Sequence, residues 1–135
     1  MDANDPTTWN VLVVDDDDSN RMVISAILGF HDAVVTEASS GKEALVLLDK
    51  NEKEEPFNLV LLDIQMPEVS GWMVLNAIRK HTHSALQKLP VIAITALAMS
   101  GDKEKGLAAG FTGYLVKPLN PDTLIASVRQ ILAGS

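Results

Sequence analysis

At 135 residues the chain is long enough to bury a core of its own and too short for two domains of ordinary size. It has no cysteine, which excludes disulfides and thiolate metal sites, and its longest apolar runs fall far short of the ~20 residues of a membrane span. The net charge of -7 repels a phosphate backbone and no basic stripe offsets it, so the expected partner is a protein, a small phosphodonor or a metal ion rather than nucleic acid. No signal-peptide core follows the polar start, and the cytoplasm is the expected compartment.

Residues 1–9 have no periodicity and read as a flexible arm that Trp9 anchors to a body running over 10–133. The apolar run Val11-Leu12-Val13-Val14 predicts a first strand over 10–15, followed by four aspartates, 15–18. Asp17 to Ser19 suit a helix N-terminus, and the apolar stripe Met22, Val23, Ala26, Ile27 and Phe30 predicts the core face of that helix. A more polar strand over 33–38 suits a sheet edge. Ser40 and Glu43 then spell a capping box before a helix carrying Ala44, Leu45, Leu47 and Leu48.

Leu59-Val60-Leu61-Leu62 shows no alternation, the mark of a strand buried on both faces, and it ends in Asp63. A turn at 67–70 leads into a helix from Gly71 to about Lys80, and a polar connection over 81–88 stops at Pro90. Val91 to Ile94 form a fourth strand ending in Thr95. A helix over 102–109 follows with Gly110 just past its end, then a strand over 113–116 running into Lys117-Pro118. Asn120-Pro121 predicts the start of a last helix carrying Leu124, Ile125, Val128, Ile131 and Leu132. Strands and helices thus alternate, which implies an α/β sandwich around a parallel sheet.

Four of the five strands end in chemistry: Asp15-Asp16, Asp63, Thr95 and Lys117. In a parallel sheet these ends share the rim where α/β proteins bind ligands. Three carboxylates there raise one another's pKa unless a cation intervenes, and a few hard oxygen ligands suit Mg²⁺. A carboxylate beside Mg²⁺ and an ammonium group is also a nucleophile for a phosphoryl group. Lys117 would neutralise phosphoryl oxygens and the Thr95 hydroxyl would donate to one.

The segments Val13-Val14-Asp15-Asp16, Leu61 to Pro67 with Gly71, Ile94-Thr95-Ala96 and Tyr114 to Pro118, in this order, resemble the receiver domains of two-component response regulators, and single-domain receivers of phosphorelays in particular. The resemblance implies a flavodoxin-like (βα)5 fold with strand order 2-1-3-4-5. It implies phosphotransfer from a histidine kinase or histidine phosphotransfer protein to Asp63. Asp15, Asp16, Asp63 and the Gln65 backbone carbonyl would hold Mg²⁺, and Lys117, joined to Pro118 by a cis bond, would pair with the phosphoryl group. Thr95 and Tyr114 would act as switch residues that alter the surface made by the helix at 102–109, the fifth strand and the last helix. Gln65 and Leu97 occupy the positions that tune acyl-phosphate hydrolysis, and apolar Leu97 implies slow loss.

The same resemblance places partner docking on the first helix at Asn20, Arg21 and an exposed Ile24, with signalling by protein contacts from a monomer or weak dimer. It implies a phosphoacceptor rather than an enzyme in its own right. Three other readings are weighed, one of them a non-phosphorylated interaction module, which the acids present here speak against. The chain could be a receiver from within a hybrid histidine kinase. Less in keeping, Asp15-x-Asp17 resembles the nucleophile motif of haloacid-dehalogenase-type phosphatases, which would move the chemistry to Asp15, but Leu119-Asn120 does not supply the later acidic pair.

Overall fold

A computed structural model describes residues 1–50, 56–82, 84–96 and 102–134. Strands β1 (Asn10–Val14), β2 (Val34–Ala38), β3 (Leu59–Asp63), β4 (Val91–Thr95) and β5 (Gly113–Val116) interleave with helices α1 (Asp18–Phe30), α2 (Gly41–Lys50), α3 (Gly71–Arg79), α4 (Ser84–Gln87), α5 (Asp102–Ala109) and α6 (Leu124–Ala133). All four strand pairings are parallel and the order is β2-β1-β3-β4-β5, the flavodoxin-like three-layer arrangement. The polar strand β2 lies at an edge, as its alternation implies.

Alternate residues of the central strands feed two cores. Val11, Val13, Leu59, Leu61, Ile92 and Ile94 pack with α1 and α6, whereas Leu12, Val14, Val60, Leu62, Val91 and Ala93 pack with α2 and α3. Every residue of β3 is buried. Its four aliphatic side chains each contribute about 1.5–3 kcal/mol by burial, enough together to offset the several kcal/mol cost of placing an acid at the strand's end.

The helix boundaries follow local chemistry. Asp17 caps α1 by accepting from the Asn20 N–H (3.0 Å), and Ser40 caps α2 by accepting from the Glu43 N–H (3.1 Å). The turn before α3 places Glu68 in the left-handed region (φ 63°) and returns the chain onto β3. Gly71 is demanded there, because a Cβ would lie 2.5 Å from the Asp63 carbonyl oxygen and 2.7 Å from Ile64 Cα. Gly110 ends α5 at φ 116°, as expected of a residue just past a helix end. Asn120 opens a turn, its side chain accepting from the Asp122 N–H (2.8 Å) and its carbonyl from the Leu124 N–H (2.9 Å), so regular α6 begins three residues beyond Pro121. The polar connection after α3 contains α4, pinned by Arg79, whose guanidinium donates to the carbonyls of Gln87 (3.0 Å), Leu89 (2.7 Å) and Gly110 (2.7 and 2.9 Å).

The amino-terminal segment expected to be an arm makes defined contacts. Trp9 is fully buried and its indole N–H donates to the Asp2 carbonyl (2.9 Å), while Arg129 of α6 donates to the Asn4 carbonyl (3.1 Å).

Helix α1 corrects two expectations. Met22, Val23, Ala26 and Phe30 face outward, with Phe30 84% exposed, and the core is met by Ile24, Ile27 and Leu28. Ile24, expected as an exposed docking residue, is 1% exposed and belongs to the α1–α6 core. Both sets of positions recur at helical spacing, so periodicity cannot choose between them; the sheet and Trp9 take the second. Accordingly, Ile24→Ala should lower unfolding stability by about 3 kcal/mol, whereas Val23→Ala should change it by less than about 0.5 kcal/mol, both read from urea denaturation.

Candidate functional site

The sheet register brings the strand ends together. Val14 of β1 pairs with Leu62, Asp63 of β3 with Ile94, and Thr95 of β4 with Val116, so Asp15, Asp63, Thr95 and Lys117 lie side by side on one rim. Asp15, Asp63 and Thr95 are buried and Asp16 is exposed. Carboxylate oxygens of Asp15, Asp16 and Asp63 lie within 4.8 Å of one another. The Lys117 ammonium sits 3.1 Å from Asp15 Oδ2 and 3.3 Å from Asp63 Oδ2.

Backbone donors fix the acids. Asp15 Oδ1 accepts from the Asp17 N–H (2.9 Å) and Asp63 Oδ1 from the Gln65 N–H (3.1 Å), which leaves both Oδ2 atoms turned toward the lysine. The lysine is itself placed by the sheet, since its N–H donates to the Thr95 carbonyl (2.7 Å), and its bond to Pro118 is cis. Burial pushes the Asp63 carboxyl up to about 6, with Asp15 adding to the rise and Lys117 opposing it. Burial would lower the Lys117 ammonium, but Asp15 and Asp63 outweigh it and leave its pKa raised. The rim therefore holds more negative charge than one ammonium neutralises. Three hard oxygen donors around that deficit fit a divalent cation of the Mg²⁺ type.

Of the residues expected to dock a partner, Asn20 lines a cleft of about 190 Å³ beside Lys117, Pro118 and Leu119, next to the acids. Arg21 is engaged internally, donating to the Asp15 carbonyl (2.8 Å) and Glu37 (3.0 Å) and pairing with Asp18, so it shapes the site from behind. Tyr114 is half-buried and lines, with Thr95, Gln65, Met66, Ser70, Trp72 and Lys105, a second cleft of about 380 Å³. Leu97 lies outside the described residues. Sequence reasoning missed the outward face of α1, whose apolar residues were assigned to the core, and the need for Gly71 against Asp63; the Gly in the turn-to-helix junction was the available signal for the latter.

Comparison with known proteins decides the family. The model of the response regulator receiver domain matches residues 11–129. The chain belongs to that family. Receivers are phosphoacceptor signalling domains rather than enzymes in their own right, partnered by histidine kinases or phosphotransfer proteins, and they bind Mg²⁺ at an acidic pocket. The chain is 40% identical over 121 residues to an uncharacterized 14.6 kDa protein of Leptolyngbya boryana, covering 90% of this chain and 88% of the other. It is also 40% identical over 125 residues to the signal transduction histidine-protein kinase BarA of Escherichia coli, but that match spans 93% of this chain and 13% of the kinase. Among solved structures it resembles chemotaxis protein CheY4 of Vibrio cholerae, with a TM-score of 0.81, 32% identity and coverage of 91% and 98%. The receiver domain of Francisella response regulator 1452 gives a TM-score of 0.80 at 31% identity, covering 94% and 98%. Among the described residues no helix is long and apolar enough to cross a membrane.

A carboxyl whose folded pKa, about 6, lies above its ordinary 3.8 favours folding when protonated; that contribution is present below pH ~4 and lost as pH rises through 6. In EDTA at pH 7.5, Asp63→Asn should therefore be more stable than wild type by about 1 kcal/mol, with the gap closing as pH falls from 7 toward 4 in thermal melts.

Proposed function

We propose that Asp63 is the phosphoacceptor, taking a phosphoryl group from a partner's phosphohistidine and changing the protein's contacts with a downstream protein. One observation carries this reading: the buried Asp63 carboxylate lies within 4.8 Å of Asp15 and Asp16 and 3.3 Å from Lys117, with Thr95 at the neighbouring strand end. A carboxylate oxygen of Asp63 attacks phosphorus, the phosphorus–nitrogen bond to histidine breaks, and an acyl phosphate forms. Asp15, Asp16, Asp63 and the Gln65 carbonyl would hold Mg²⁺, which when bound would neutralise charge on the acids and on the phosphoryl oxygens. Lys117 leaves its pairing with Asp63 to meet a phosphoryl oxygen, and the Thr95 hydroxyl donates to another. Thr95 and Tyr114 then bias the surface of α5, β5 and α6.

The outward face of α1, Met22, Val23, Ala26 and Phe30, with Asn20 at its site end, supplies the docking surface in place of Ile24. These residues recur at helical spacing and form an exposed apolar strip. We take 10–133 as the receiver unit, in the cytoplasm with its kinase, acting as a monomer or weak dimer without nucleic acid. Whether that unit stands alone or belongs to a hybrid kinase does not alter the chemistry. A phosphatase using Asp15 is disfavoured, because Asp17, the second acid of that motif, is committed as a helix cap.

Acetyl phosphate with Mg²⁺ should give one phosphoryl adduct by intact mass, lost with EDTA and absent from Asp63→Asn. An adduct that survives in that variant but requires Asp15 would overturn the assignment. Phe30→Lys and Met22→Lys should slow transfer from a phosphohistidine partner about tenfold, equivalent to about 1.4 kcal/mol, while acetyl phosphate labelling stays unchanged.

A further inference from the structure

Helix α5 is seated differently from the other long helices. It opens Asp-Lys-Glu-Lys, and across its described side chains, 104–109, Gly106 alone is buried. Leu107, its one large apolar residue, is 44% exposed. What meets the helix instead is an aromatic seat: a Cβ at Gly106 would lie 3.4 Å from Phe111 Cδ2, 3.8 Å from Trp72 Cη2 and 3.8 Å from Tyr114 Cδ2. Trp72 of α3 and Phe111 hold each other edge to face, with ring centroids 5.4 Å apart. These distances are ordinary contact for a methyl group, so a side chain fits the seat and the glycine leaves it unfilled. Glycine also gives up helix propensity in the interior of a helix that has little apolar surface to hold it.

One ring of this seat belongs to Tyr114, which also lines the 380 Å³ cleft that it shares with Thr95 and with Lys105 of α5. The ring therefore has space beside it, and the α5 residue that faces it is a glycine. Resting on the reading of Asp63, Thr95 and Tyr114 given above, we propose that Gly106 is the positioning residue that couples Tyr114 to α5. The unfilled contact lets the helix move when the ring moves, and Trp72, which lines the same seat, reports the movement. A methyl group at this position would bind the helix to all three rings at once and uncouple it from Tyr114.

The test is Trp72 fluorescence on phosphorylation by acetyl phosphate and Mg²⁺, taken as wild type minus Trp72→Phe to remove the buried Trp9, with adduct formation followed by intact mass in the same samples. Gly106→Ala should raise Tm by about 3 °C and cut the fluorescence change at least threefold while the adduct still forms. Gly106→Ser should cut the change equally with a smaller gain in Tm, which separates filling of the seat from helix propensity. A full fluorescence change in labelled Gly106→Ala, no change in labelled wild type, or a lowered Tm in both variants would each overturn the coupling and leave the Asp63 assignment standing. Absence of an adduct in wild type would overturn both.

Discussion

The charge balance around Lys117 is the constraint on which the site depends. One ammonium lies between Asp15 at 3.1 Å and Asp63 at 3.3 Å, with Asp16 on the same rim, so the acids remain under-neutralised wherever the lysine settles. Burial makes that deficit matter, because the low-dielectric strand ends screen it poorly and hold the Asp63 carboxyl well above its ordinary range. A divalent cation of the Mg²⁺ type would offset what the protein leaves unbalanced. The main chain of the lysine is fixed, as its own N–H donates to the Thr95 carbonyl across β4 and β5. The geometry of the site is thus set by strand pairing.

Helix α1 serves this site in three ways at once. Its first turn is capped by Asp17, whose N–H in turn fixes Asp15. Its inner face, Ile24, Ile27 and Leu28, anchors it to the sheet. Its outer face stays apolar and uncovered, at odds with the usual polar exterior of a surface helix. Arg21 joins the first two roles by holding the Asp15 carbonyl and bridging to Glu37 on β2.

Stability is distributed unevenly around the sheet. The fully buried β3 carries Asp63, and α3 packs so closely on Asp63 and Ile64 that only glycine fits at position 71. On the far side of Thr95, α5 faces three aromatic rings with a glycine, the one buried residue among its described side chains. A rigid chemical centre next to a lightly held helix is the arrangement in which a local charge change can be converted into movement, since low-stability elements are those that respond.

How much of this was legible in the sequence depended on the range of the interaction. Composition, unbroken apolar runs ending in Asp, Thr and Lys, and the capping residues Asp17, Ser40 and Gly110 were enough for the parallel sheet, the rim of polar ends and most helix limits, because these are encoded within a few residues of chain. The facing of α1 was not, since Met22, Val23, Ala26 and Phe30 are spaced as well for burial as Ile24, Ile27 and Leu28, and only the sheet and Trp9 select between them. The contact of Gly71 with Asp63, the internal engagement of Arg21 and the aromatic seat beneath Gly106 likewise join residues distant in sequence. The sequence by itself determined which groups could perform the chemistry; tertiary packing decided which faces were left free to meet a partner, because burial is a property of the assembled layers and not of any one helix.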